Sequence, residues 1–186
     1  MERSAESPDR PVVVAVVGSP RAAGNTSYLV DVALDELARR GLVVEKIMLG
    51  EYRVLPCEGH DECEDLAACP LDDDAGTILE RMYGADGLIL ATPVYYEDVS
   101  GQMKIFIDRN CFNNYHEIWL RARSVGLIAV AESTGLDETI DSLRRPRSRR
   151  AAPQPWRAPL HVPPRPASRS RRRRLRGRRG PSPTAA

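Results

Sequence analysis

Val12-Val13-Val14-Ala15-Val16-Val17-Gly18-Ser19-Pro20-Arg21-Ala22-Ala23-Gly24-Asn25-Thr26-Ser27 is the stretch that decides how the chain is read. Its first six residues are an unbroken apolar, mostly β-branched run, the pattern of a strand buried on both faces in a parallel sheet. The run breaks into a loop of Gly, Ser, Pro, Arg and Gly, and residues 25–27 open an amphipathic helix. Such a loop lets the backbone wrap closely around something small, with hydroxyls and helix-end N–H groups facing it. A phosphate suits it: Arg21 supplies a forked cation, and Ser19, Thr26 and Ser27 supply hydroxyls. The plainer alternative is a strand-to-helix turn whose Gly and Asn serve as ordinary caps. Neither G-x-G-x-x-G nor G-x-x-x-x-G-K-[ST] is present, so a dinucleotide-binding loop and an ATP-hydrolysing P-loop both lack their defining residues.

Outward from this stretch, Leu29, Val30, Ala33, Leu34 and Leu37 recur at helical spacing over residues 25–40, and Gly41 stops the helix. Residues 43–48 form a second strand, giving a right-handed β-α-β crossover. A helix over about residues 73–83 follows, with Asp72, Asp73 and Asp74 at its positive end. A third strand spans 86–92, a helix about 102–111, a fourth strand 124–130, and a helix begins near Asp137. Four strands with crossovers predict an α/β, doubly wound parallel sheet, a three-layer α/β/α arrangement with ligands at the carboxyl ends of the strands. The loops after strands one, three and four would then meet at one edge.

The opening loop resembles the G-S-x-R-x-x-G-N-T/S loop of the flavodoxin-like NAD(P)H-dependent FMN reductases. Ala85-Asp86-Gly87, Thr92-Pro93-Val94-Tyr95-Tyr96 and Gly101-Gln102-Met103-Lys104-Ile105-Phe106-Ile107-Asp108-Arg109 resemble a second signature of the same superfamily. Within it the chain looks closest to the branch of the iron-sulfur flavoproteins. The resemblance covers roughly residues 11–143. It implies FMN, with its phosphate at Ser19, Arg21, Gly24, Asn25, Thr26 and Ser27 and its ring against Pro93, Val94, Tyr95 and Tyr96. Further ring contacts would come from Ala131, Ser133 and Gly135. NAD(P)H would deliver hydride to the flavin, which would pass electrons to a quinone, a nitro or azo compound, or another acceptor. A homodimer or homotetramer is the implied assembly. No protein nucleophile or metalloprotease pattern is present.

Residues 55–70 carry three of the four Cys. Cys57, Cys63 and Cys69 are spaced C-x5-C-x5-C, whereas iron-sulfur flavoproteins bear a run close to C-x2-C-x2-C with a fourth Cys beyond. Aligned on Pro56 and Asp72-Asp73, His60 stands where the second Cys would be. Cys57, His60, Cys63 and Cys69 could ligate iron or zinc. Acidic neighbours work against thiolate ligands, so a flavin-edge loop with free thiols is favoured over an iron-sulfur cluster. Cys111 reads as buried and inert.

At 186 residues the chain is the size of one ordinary domain. No apolar run approaches the roughly 20 residues that span a bilayer. Residues 1–10 are polar, read as disordered, and lack the apolar core of a secretory signal, so a cytoplasmic protein is expected. The net charge of +1 conceals a division: residues 1–143 carry −14 and residues 144–186 carry +15, all of it Arg. This second stretch also holds 9 of the 15 Pro and no acid, so it predicts a disordered tail. Relatives continue there into a fifth strand and a last helix, which this chain is expected to lack. A shifted reading frame in GC-rich coding sequence accounts for such a composition, and a basic arm attracting nucleic acid is the alternative. A non-catalytic protein, either a truncated flavin-fold remnant or a nucleic-acid binder, is therefore the second functional reading.

Overall fold

A computed structural model describes residues 10–144. The expectations for residues 1–9 and for the Arg/Pro-rich segment from residue 145 onward lie outside the described residues. Strands β1 (Val12–Val17), β2 (Val43–Met48), β3 (Gly87–Tyr95) and β5 (Ser124–Val130) are parallel, in the order β2-β1-β3-β5. Among the described residues β5 pairs only with β3 and is an edge. The two-residue strand β4 (Asp98–Val99) folds back antiparallel on the end of β3.

Alternation along β1 divides the core into two layers. Val14 and Val16 face Ile78 and Met82 of α2 (Ala75–Gly84) and Met103 and Phe106 of α3 (Gly101–Asp108). Leu143 of α5 (Leu136–Arg144) joins the same layer. Val13, Ala15 and Val17 face Val30 and Leu34 of α1 (Asn25–Arg39) on the other side. Burying each Val contributes about 1.5 kcal/mol or more, which fixes the register of the central strand. Asp86 pins the lower end: Val12 N–H donates to Asp86 Oδ2 (2.9 Å) and Asp86 N–H to the Val12 carbonyl (2.9 Å).

Three expectations need correction. The third strand does not end at Thr92. Pro93 opposes Val130, and Val94 and Tyr95 oppose Val99 and Asp98, so the strand runs into a hairpin. Tyr96 (φ 50°) and Glu97 (φ 64°) form the turn, where positive φ at both central residues matches the twist of the flanking strands. Neither residue type signals such a turn. Second, the helix expected over 102–111 breaks at Arg109-Asn110, and a separate α4 covers Cys111–Tyr115. Asn110 Nδ2 donates to the carbonyls of Phe106 (2.9 Å) and Ile107 (3.2 Å), a side-chain competition that ends the helix. Third, the break leaves Cys111 exposed rather than buried.

Candidate functional site

The loop after β1 is tied down before it reaches α1. Gly18 N–H donates to the Ala91 carbonyl on β3 (2.7 Å), and the Gly18 carbonyl accepts from Ser100 Oγ (2.5 Å). Ser19 is buried, and its Oγ accepts from Arg21 N–H (3.2 Å), tightening the turn. Gly24 N–H then donates to the Arg21 carbonyl (3.1 Å) and Gly24 becomes the helix N-cap. No side chain caps α1, and its first helical bond runs from Tyr28 N–H to the Gly24 carbonyl (3.0 Å). The amides of Asn25, Thr26 and Ser27 therefore stand open at the positive end of a fifteen-residue helix, an arrangement that attracts an anion.

Arg21 and Asn25 are exposed at the rim, and the Arg21 guanidinium makes no ion pair among the described residues. Thr26 is buried directly behind them. Ser27 is placed differently from the sequence expectation for its hydroxyl. Lys46 Nζ donates to Ser27 Oγ (2.7 Å) while pairing with Asp31 (2.6 Å), which leaves the Ser27 N–H as its contribution to the loop.

The two other loops arrive at the same strand ends. Pro93 and Val94 are half-buried, whereas Tyr95 and Tyr96 present exposed rings, Tyr96 fully so. After β5, Ala131 is half-buried and Ser133 exposed, and Gly135 (φ 84°) packs onto the hairpin turn. Thr134 Oγ1 reaches Glu97 Oε1 at 3.5 Å. The sheet edge thus carries an uncapped helix start with an exposed cation, Arg21, and, beside it, a turn with two aromatic faces.

A family model described as NADPH-dependent FMN reductase matches residues 11–148. The chain belongs to this family. Among FMN reductase relatives, an iron-sulfur flavoprotein of Methanosarcina thermophila is 30% identical over 133 residues, covering 70% of each chain. An iron-sulfur flavoprotein of Methanocaldococcus jannaschii is 43% identical over 98 residues, 53% of this chain and 51% of that one. The chain spans about half the length of several curated relatives that it matches. An NAD(P)H:quinone oxidoreductase from Methanothermobacter marburgensis has the same fold, with a TM-score of 0.56 at 19% identity over 69% of this chain and 68% of that one.

The names of these relatives direct attention to the cysteine loop. Cys57 is exposed, Cys63 buried and Cys69 half-buried, and among the described residues no three Cys, His, Asp or Glu side chains are grouped to hold a metal ion. His60 lies 3.3 Å from Glu58. The loop is organised by protein groups instead. Buried Arg109 pairs with Asp73, donates to the Leu55 carbonyl (3.0 Å) and donates through Nη2 to Cys69 Sγ (3.2 Å). His116 Nε2–H donates to the Cys63 carbonyl (2.8 Å). Burial, followed by the neighbouring Cys69 and Cys57, pushes the Cys63 thiol up. These residues as they lie do not fit an iron-sulfur cluster.

Sequence reasoning assigns no role to Ser100 or to Lys46 and treats Arg109 only as part of a signature. The signal for Ser100 is its position before α3, where a Ser caps the helix. The Lys46 contact depends on the sheet register and leaves no mark in the local sequence. Among the described residues no helix is long and apolar enough to cross a membrane.

Proposed function

We propose that the chain binds FMN at this edge and acts as an NAD(P)H-dependent oxidoreductase, passing electrons to a small acceptor such as a quinone or a nitro or azo compound. The observation that carries the reading is the uncapped start of α1, with Arg21 at its rim, next to the Tyr95-Tyr96 turn. The amides of residues 25–27 and the Arg21 guanidinium would hold the phosphate, aided by Ser19 and Thr26. The 93–96 turn and the 131–135 loop would hold the ring, since an amphipathic flat ring suits exposed Tyr faces and strand-end amides. Bound flavin would supply hydride acceptance and release, and the protein would position the ring and control access to it. Assembly as a dimer or tetramer belongs to the same reading.

The test is purification with FMN present, followed by anaerobic addition of NADPH. A yellow protein whose flavin absorbance bleaches on NADPH addition and returns with a quinone supports the reading. A colourless protein that takes up no FMN favours the non-catalytic alternative.

A further inference from the structure

The Ser100 side chain is fully buried, yet it links the two halves of the candidate site. Its Oγ donates its single proton to the Gly18 carbonyl at 2.5 Å and accepts from Met103 N–H at 3.2 Å. Its N–H donates to Thr92 Oγ1 at 3.0 Å, and Thr92 Oγ1 in turn donates to the Pro93 carbonyl at 2.9 Å. A continuous hydrogen-bonded path thus runs from the ring turn through Thr92 and Ser100 to the phosphate loop.

The path fixes a peptide orientation. Gly18 is held on both sides, by its N–H to β3 and by its carbonyl to Ser100. In a trans peptide the N–H of the next residue points opposite to that carbonyl, so the Ser19 N–H is turned away from α3. Gly18 is also pressed against α3, because a Cβ there would stand 2.7 Å from Met103 Cβ and 2.9 Å from Ser100 Oγ. With its proton committed to Gly18, the Ser100 hydroxyl has none to give a ligand.

We propose that Ser100, supported by Thr92, is a positioning residue that sets the phosphate loop against the ring turn and so determines the preference for phosphorylated over unphosphorylated flavin. This inference rests on the FMN reading above. It locates part of the site's specificity in a side chain that acts through Gly18.

The experiment is titration of the full chain with FMN and, separately, with riboflavin, which lacks the phosphate. Ser100→Ala leaves the buried Gly18 carbonyl and Met103 N–H without their partner, and FMN affinity is expected to fall about tenfold. Riboflavin affinity is expected to change by less than about twofold, since the lost order lies in the phosphate loop. Thr92→Val, which keeps the shape but replaces the hydroxyl with a methyl group and so takes away the acceptor of the Ser100 N–H, is expected to show the same selective loss, and it decides the matter if Ser100→Ala does not fold. Equal losses for FMN and riboflavin, or unchanged FMN affinity in both variants, would overturn the proposal while leaving the site intact. A wild-type chain that binds neither flavin would overturn the FMN reading itself.

Discussion

Gly135 is packed so closely on Glu97 that a Cβ at position 135 would stand 2.6 Å from the Glu97 Cα, with Val94 Cγ1 only 2.9 Å away. Its φ of 84° is also one that L side chains rarely adopt. Gly135→Ala is therefore expected to destabilise the fold by about 1–3 kcal/mol, through strain in a turn that cannot move without disturbing the hairpin. Urea unfolding midpoints check this. Glu97→Gly, which relaxes the positive φ on the other side of the contact, is expected to shift the midpoint upward instead.

The Arg109–Asp73 pair is fully enclosed, with side chains 3% and 0% exposed. Asp73→Asn would leave the guanidinium buried without a counter-charge, a loss of about 3–5 kcal/mol. Burial alone raises the Asp73 pKa. Hydrogen bonds from Arg109 and from the N–H groups of Leu55 and Ala75, together with the Arg109 charge, outweigh it and hold the carboxyl below its usual range. A depressed carboxylate pKa gives stability that is present above the unfolded-state value, about 3.9, and lost as pH falls through the folded-state value. Urea midpoints measured from neutral pH into acid should show this loss below about pH 4, and its Asp73 share should be missing in Asp73→Asn.

Thiol labelling should separate Cys57 from Cys63 and Cys111. Cys57 is exposed, whereas Cys63 is buried with its pKa raised. Cys111 is exposed, but partial burial and then the nearby Cys57, Asp108 and Cys63 raise its thiol pKa. Since the thiolate is the reactive form, iodoacetamide at neutral pH should modify Cys57 before Cys63 and Cys111. Peptide mass analysis over time gives the order, and early modification of Cys63 would contradict the described burial.

In the proposed reading the Arg/Pro-rich segment is dispensable for flavin binding. A chain ending at Arg144, the last residue of α5, should bind FMN with an affinity within about twofold of the full chain. Salt-sensitive nucleic-acid binding, if found in the full chain, should vanish with the segment.

The parallel sheet was legible because β1 is apolar throughout and the helices carry their apolar residues at helical spacing, as Val30 and Leu34 do. The meeting of the three loops at one end of the sheet was legible because all follow parallel strands. What escaped the sequence depends on contacts between distant residues. The hairpin at Tyr96 and Glu97 lacks the usual Asn-Gly chemistry and is held from outside by Gly135. The helix break at Asn110 follows from a polar side chain turning back on its own helix. Arg109 acts across 36 residues on Asp73 and across 40 on Cys69, a connection that only the folded chain makes.

In the proposed reading the loop of residues 18–27 holds the phosphate of FMN. Titrating wild-type chain and Arg21→Ala with FMN, read by quenching of flavin fluorescence, tests this most directly. Wild type should bind, and the variant should lose about 1.5–3 kcal/mol, the worth of a charge-assisted hydrogen bond, or roughly 10- to 150-fold in Kd. Equal FMN affinity in the two proteins would contradict the assignment of the loop.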